Sequence, residues 1–541
     1  MLRQLGRALC CTLLLTAYAP APSHGDVGDA RAIQQYKYRS YGEIVDYITA
    51  LEKKYLQYTE LFTAQERYGL PVRRELMCRR SGKKEPCLHH VLKITDKASL
   101  PDPERPEVFF SGALHGNERV GPQSVVALAE FLLDHASRED GNPWIKHLVK
   151  TRTVVIMPTT NAYGYDRNVR EERGIDPNRD FDYLKRGKCF ETMVARAVNE
   201  VWRDHLFQLA ITFHGGIRSV SYEWGTTNHQ IDRKKSEKSP DHRAQWYMGL
   251  GLSRFGGRFE EDDEYYDSGP MNDVVYAVNG GMEDWGYAAS WENEFTKPKP
   301  IGICTPKTYD GYPAAKSKYN NATNRAFNIL VETSFDKRPK EASLGNSSAL
   351  SDSALAHFGS ESIGHVPRNV RMALMFIDLV QPYIAWKHHP RKSSAGSSLK
   401  FKWEVLGSIA VDSTQLLVSK HPDMSDAVAT TAQSGVTRWY HPDFETSRAH
   451  DNNGLFHELL TFDDSGTYYI QAVATVDQDW TKQGTGADAP VPNVPPQTHI
   501  VNARTNDDWD FSSNGRRVKG RTVWKSSVRF ALFDGIAFLA G

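Results

Sequence analysis

The sequence predicts an α/β protein whose central sheet is flanked by helices, followed by an all-β sandwich. Three observations carry that expectation. Four short apolar runs, residues 108–110, 153–157, 209–213 and 329–331, read as buried strands. Helical periodicity fills intervals between them, and alternating strands and helices make an α/β sheet. Past a polar KSSAGSS stretch at residues 392–398, the apolar period drops to two, as in half-buried strands.

The elements follow in chain order. Arg3 and Arg7 precede a short apolar stretch, residues 8–19, too short to span a bilayer. Together they read as a secretory signal, with cleavage expected after Gly25 because a Pro follows both Ala19 and Ala21. Residues 122–135 start with Pro122 in a first helical turn and put Val125, Leu128, Ala129, Leu132 and Leu133 on one side. Residues 191–205 do the same with Val194, Val198, Val201 and Trp202, and a further helix over 368–380 ends before Pro382. After the 392–398 linker, Leu399, Phe401, Trp403 and Val405 share one strand face. Tyr468, Ile470, Ala472, Ala474 and Val476 share another, beyond an Asp463-Asp464-Ser465-Gly466 turn. The expected division is a signal over 1–25, a main domain over 35–390 and a β-sandwich over 395–541. Residues 489–497 are Pro-rich and read as a loop. The tail, residues 530–541, is moderately apolar, and no stretch after the signal is long and apolar enough to cross a membrane.

Composition narrows the function classes. The 66 basic and 66 acidic side chains balance, which argues against a nucleic-acid partner. With 12 Trp, 24 Tyr and 23 Phe, the chain has the aromatic content of a folded protein rather than a disordered one. A monomer is expected. Loss of the signal removes Cys10 and Cys11 and leaves four cysteines, which allow three pairings. Cys78–Cys87, a local loop, and Cys189–Cys304 are the favoured pair of bridges. Asn321-Ala322-Thr323 and Asn346-Ser347-Ser348 are glycosylation acceptors if the chain is exported by a eukaryote.

Chemistry-bearing residues sit at or just past the ends of the four strands, where α/β sheets bind ligands. His115 and Glu118 have the His-x-x-Glu spacing that supplies two zinc ligands, although such spacing also arises by chance. His214 ends the LAITF strand; alone it would be an ordinary strand-end histidine, and with His115 and Glu118 it completes a three-ligand set. Glu332 ends another apolar strand, where a carboxylate is costly unless it is partnered or functional. Its bland alternative is an ion pair, for example with Lys337. Other candidates fail: His457-Glu458 lacks a second histidine because residue 461 is Thr, Gly249-x-Gly251 does not complete a dinucleotide loop, and no Gly-x-Ser-x-Gly elbow occurs. His89-His90 and His388-His389 read as solvated loop histidines.

Taken in order, His115-x-x-Glu118, Asn178-Arg179, His214, Tyr276, residues 280–285 (GGMEDW) and Glu332 resemble the zinc metallocarboxypeptidase family over about residues 37–386. Residues 279–285 and 332–339 (ETSFDKRP) place the resemblance nearer the regulatory branch than the pancreatic digestive one. The resemblance implies a mixed central sheet and one zinc ion held by His115, Glu118 and His214. It implies Asp176 orienting a ligand histidine, Glu332 as general base, and Arg170 polarising the scissile carbonyl, with Arg167 and Arg173 as nearby alternatives. Asn178 and Arg179 would clamp the substrate's terminal carboxylate, Tyr276 would close over it, and Glu283 would stand at the pocket floor and favour C-terminal Lys or Arg. Glu283 and Asp284 are otherwise helix-start acids. The Pro177-Asn178-Arg179-Asp180 wording departs from the Leu and Asn that relatives usually carry there, while the clamp pair itself is unchanged. The expected function is a secreted enzyme acting on peptide and protein C-termini, made active because no activation segment is evident. Regulatory relatives carry a transthyretin-like domain after the catalytic one, which agrees with the expected sandwich. The competing expectations are an amidohydrolase on the same scaffold, acting on amino-acid conjugates or cell-wall peptides, and a non-catalytic zinc-containing binding protein.

Overall fold

The computed structural model describes residues 33–100, 105–184, 187–231, 233, 235–239, 241–289, 304–317, 326–356, 363–390, 392–393, 396–440 and 454–476, together with strands at 503–505, 509–511, 516–518, 523–525 and 530–540. The expected signal, the Asn321 sequon and the Pro-rich segment at 489–497 lie outside these residues.

The main body is built on an eight-stranded sheet. Its strands are β1 (Thr59–Thr63), β2 (His90–Ile94), β3 (Glu107–Gly112), β4 (Thr153–Met157), β5 (Phe207–His214), β6 (Arg218–Tyr222), β7 (Asp267–Pro270) and β8 (Phe327–Thr333). Their spatial order is β1-β2-β4-β3-β5-β8-β6-β7. The central strands β4, β3, β5 and β8 are parallel, and the antiparallel pairings β1–β2, β2–β4 and β8–β6 make the sheet mixed, as expected. Every residue of β3, β4, β5 and β8 is buried. Parallel strands covered on both faces must be apolar throughout, which is why these segments read as runs rather than alternation. Strand β3 lies between β4 and β5, so the connections leaving it and returning to the sheet part to opposite sides. A crevice opens at the carboxyl ends of strands at such a switch point.

Helices α1 (Tyr41–Lys54), α2 (Val120–Ser137), α3 (Met193–Asp204), α4 (His242–Gly256), α5 (Met282–Ala288) and α6 (His365–Leu379) accompany the sheet. Helix α6 packs on both α2 and α4. Helix α3 starts at Met193 rather than 191 because the Thr192 side chain accepts from the Ala195 amide and so caps it. Both expected disulfides, Cys78–Cys87 and Cys189–Cys304, are present. Among the described residues no helix is long and apolar enough to cross a membrane.

The C-terminal region is all β. One sheet joins Tyr383–His388, Ser398–Leu406 and Leu455–Thr461; a larger one contains Ala410–Ser419, Gly466–Val476 and Phe530–Ala540. Phe401, Trp403 and Val405 are buried as the period-two reading requires, and Trp403 Nε1 donates to Thr414 Oγ1 across the sheets at 2.8 Å. Strand Tyr383–His388 lies ahead of the 392–398 linker and pairs with Ser398–Leu406, so the β region begins before residue 395. Buried Asp378, in α6, ties this region to the main body. It accepts from Trp144 Nε1 at 2.8 Å, Trp439 Nε1 at 2.6 Å, Tyr383 Oη at 2.6 Å and the Gly407 amide at 3.1 Å.

The reading of His89 and His90 as solvated needs correction. His89 is buried beside Gln65, with Nδ1 2.7 Å from Gln65 Nε2, and His90 opens β2. His457 is exposed on its strand and belongs to no candidate metal cluster among the described residues.

Candidate active site

Three donor groups converge at the crevice. His115 and Glu118 lie in the loop after β3, and His214 is the last residue of β5. His115 Nδ1 is 3.0 Å from Glu118 Oε1, His214 Nδ1 is 2.9 Å from Glu118 Oε2, and the two Nδ1 atoms are 3.1 Å apart. All three side chains are buried, and one donor atom from each lies within 4.8 Å of the others. Atoms bonded to a tetrahedral zinc at about 2.0 Å stand roughly 3.3 Å from one another, so this triangle fits such an ion with little adjustment. The donors are two neutral-capable imidazoles and one carboxylate, a set that suits zinc. Burial opposes charge on Glu118, yet the two imidazoles hold its carboxyl well below the ordinary range. Burial likewise opposes protonation of His214, but Glu118 and Glu283 outweigh it and raise its pKa to about 10. A cation at this focus would take the place of that proton.

The outward nitrogens of both imidazoles face carboxylates. His115 Nε2 is 3.0 Å from Asp176 Oδ1, and His214 Nε2 is 3.5 Å from Glu283 Oε1, a charge contact too loose for a full hydrogen bond. Asp176 is held in turn: its Oδ1 accepts from the Asn178 amide at 2.9 Å, and its Oδ2 lies 2.9 Å from Arg170. Burial raises the Asp176 pKa, but His115, Arg170 and Arg179 together hold it below the usual carboxylate range. Carboxylates in this position fix the tautomer and orientation of a metal-binding imidazole.

Arg170 is brought in and its neighbours are not. Its carbonyl accepts from the Gly116 amide at 3.2 Å and Asn161 Nδ2 at 3.1 Å, and its Nη1 is 3.5 Å from Glu118 Oε1. Gly116 permits this because a side chain there would collide with the backbone of Gly164. Arg167 instead donates to the Met77 carbonyl and stacks on Tyr163, and Arg173 is exposed.

Glu332 pairs in register with His214 across β8 and β5, so both reach the same crevice. Its Oε2 is buried without a hydrogen-bond partner. Burial, then the charge of Glu118, pushes its carboxyl up to about 7 against the pull of His214, His115 and Lys337. Lys337, weighed from sequence as a partner for Glu332, places its Nζ 3.0 Å from Glu118 Oε1 instead. Sequence reasoning missed this contact.

The remaining candidates gather beside these. Asn178 Oδ1 accepts from the Met282 amide at 2.8 Å, and its Nδ2 lies 3.4 Å from Glu283 Oε1. Glu283 Oε2 is buried without a partner. Burial works against its charge, while His214 and Asn178 keep its pKa below the ordinary value. Its neighbour Asp284 serves elsewhere, accepting from the Gly225 amide at 3.0 Å and Thr226 Oγ1 at 2.6 Å. The Arg179 guanidinium lies 5.8 Å from the ring centre of Tyr276, which is 51 % exposed.

Two imidazoles and a carboxylate thus converge at the switch point of a mixed α/β sheet, with a second buried carboxylate beside them, a donor set that could hold a metal ion. Residues 88–300 match the family model described as zinc carboxypeptidase. Carboxypeptidase D of Mus musculus is 27% identical over 218 residues, covering 37% of this chain and 16% of that protein. The carboxypeptidase N catalytic chain of Homo sapiens is 23% identical over 300 residues, covering 48% of this chain and 59% of the relative. The chain thus spans less than two thirds of the length of these curated relatives. Among solved structures, that of thrombin activatable fibrinolysis inhibitor aligns with a TM-score of 0.40 at 16% identity, over 63% of this chain and 75% of that one.

Proposed function

We propose that this chain is a secreted zinc metallocarboxypeptidase that binds one zinc ion and hydrolyses the C-terminal peptide bond of peptides or proteins, with preference for Lys or Arg at that end. The observation that carries this reading is the convergence of His115, Glu118 and His214 within 4.8 Å, beside a buried Glu332 with an unpartnered oxygen. When held by His115, Glu118 and His214, zinc supplies Lewis acidity to the crevice. Glu332 takes a proton from the attacking water and returns it to the leaving amine. Arg179, with Asn178, binds the free terminal carboxylate through charge-assisted hydrogen bonds, which restricts attack to the last peptide bond. Arg170 stabilises the oxyanion that develops on the scissile carbonyl, and Tyr276 covers the bound end. Asp176 keeps His115 in its ligating orientation. The free oxygen of Glu283 accepts the cationic side chain of the departing residue.

Residues 35–390 form the catalytic unit in this reading, and the C-terminal β region is accessory, supporting folding, docking or substrate access. Export is supported by the two disulfides and by the apolar leader of the sequence. The test is release of the final residue from a panel of N-blocked peptides differing only at the C-terminus. Turnover fastest with Arg or Lys, abolished by a chelator and restored by zinc, is expected. No release from any peptide with zinc present would leave a binding protein as the better reading, and cleavage of conjugates alone would leave an amidohydrolase.

A further inference from the structure

Two dipeptides, Glu118-Arg119 and Lys337-Arg338, run side by side, tied by the Arg119 amide donating to the Lys337 carbonyl at 2.8 Å. Their first members meet at the metal-binding cluster, where Lys337 Nζ pairs with Glu118. Their second members, Arg119 and Arg338, line a separate cavity of about 530 Å³. Arg119 is only 8% exposed. Its Nη1 donates to the Tyr165 carbonyl at 2.6 Å, its guanidinium lies 3.5 Å from the Tyr165 ring centre, and its Nε has no partner. Among the described residues neither Arg119 nor Arg338 has a carboxylate within ion-pair distance.

Two of the three acids of the cavity wall are ion-paired: Asp46 lies 2.7 Å from Arg80, and Asp166 accepts from the Arg79 amide at 3.1 Å and pairs with its guanidinium, while Glu43 accepts from the Ser40 amide at 2.7 Å. A buried guanidinium without a counter-charge is costly, and Arg338 adds repulsion to the cost of burying Arg119. The wall carries four arginines against three acids, and two of those arginines, Arg119 and Arg338 (the latter 5.1 Å from the Tyr38 ring centre), have no ion-pair partner among the described residues, so they favour an anion, and the Arg fork matches tetrahedral oxyanions with paired donors.

We infer that this cavity binds a small oxyanion of the phosphate class, gripped by Arg119 and Arg338, each one residue along from the Glu118–Lys337 ion pair. Neither arginine belongs to the peptidase machinery, so the site stands independently of that reading.

The test titrates the zinc-loaded full chain with inorganic phosphate at fixed ionic strength, with chloride making up the balance, by calorimetry and thermal melting. Saturable one-to-one binding with a Tm increase that chloride does not produce is expected. Arg338→Ala, at an exposed position, should weaken phosphate at least about tenfold, the loss of one charge-assisted contact, while exposed Lys340→Ala should not. Arg338→Gln keeps the side-chain stem and should behave as the alanine variant does. Absence of saturable phosphate binding overturns the inference. So does binding unchanged in Arg338→Ala, which would place the phosphate on the zinc.

Discussion

Asp176→Asn probes the geometry behind the metal centre. In the parent, Asp176 Oδ1 lies 3.0 Å from His115 Nε2 while Oδ2 lies 2.9 Å from Arg170. Asparagine has nearly the same shape and can still accept from the Asn178 amide, so the local turn should survive. What disappears is the negative charge that polarises His115 and pairs with Arg170. Removing an outer carboxylate of this kind costs about 10–100-fold in metal affinity, or roughly 1.4–2.7 kcal/mol. The measurement is competition for zinc against a chelator of known affinity, with the apo protein's melting curve as a control for folding. The stabilisation that zinc confers at fixed free zinc should shrink by the same free energy, because ligand binding and folding are linked. A zinc affinity within threefold of the parent, with unaltered folding, would refute the assignment of Asp176 as the group that steadies His115.

Three further outcomes are expected. Glu332→Gln should retain zinc but lose about 10²–10⁴-fold in kcat, measured on blocked peptides, because the proton acceptor is gone; retained turnover would remove Glu332 from the mechanism. Glu283→Gln should cut the kcat/KM ratio of Arg-ended over Leu-ended peptides by about 10–100-fold, the worth of one charged hydrogen bond; an unchanged ratio would mean another selector. Glu172→Gln should alter the pH dependence of stability. Burial raises the Glu172 carboxyl from 4.5 to about 7, so below pH 4.5 it is protonated in both states. Between those values only the unfolded chain releases the proton, so stability falls as pH rises through that window and levels off above about 7. Denaturant unfolding at pH 8 should find the glutamine variant more stable by up to about 3 kcal/mol, with the difference vanishing below pH 4.5; a difference independent of pH would reject burial of a proton-holding Glu172.

The parts of the fold legible in sequence were those with a local physical cause. β3, β4, β5 and β8 are buried on both faces, so their apolar runs stand out, and helix α2 carries a continuous buried stripe from Val125 to Leu133. Short strands were not legible. β1 mixes buried and half-buried residues over five positions without regular alternation and is fixed by its pairing with β2, which no local pattern announces. The tail strand Phe530–Ala540 is defined by eleven-residue pairing with Gly466–Val476. His89 reads as solvated because two adjacent histidines look polar; it is buried because Gln65 meets its ring. At the site, the residues singled out on strand ends and in short motifs come together at one crevice, and Arg170, unlike Arg167, contacts Glu118 and Asp176 there. Lys337 could not be given its partner, because its ion pair with Glu118 spans 219 positions.

Glu283 shows how one residue can be asked for two things. One carboxylate oxygen is shared between His214 Nε2, at 3.5 Å, and Asn178 Nδ2, at 3.4 Å. The other is buried and unpaired. Were its charge spent wholly on His214, the pocket would be nearly neutral and any preference for a basic side chain would be weak. Both contacts are longer than a strong charge-assisted hydrogen bond, which lies near 2.7–2.9 Å, so they neutralise the carboxylate only in part. A buried, partly compensated anion with one free oxygen is costly to the empty protein. Under the proposed function, an arriving Lys or Arg side chain would recover that cost, whereas an apolar one would leave the oxygen unpaired and dry. Discrimination would then come as much from the penalty on the wrong end as from attraction to the right one. Preference for basic ends should accordingly weaken in Asn178→Ala as well, since water admitted beside Glu283 would relieve the penalty that excludes apolar residues.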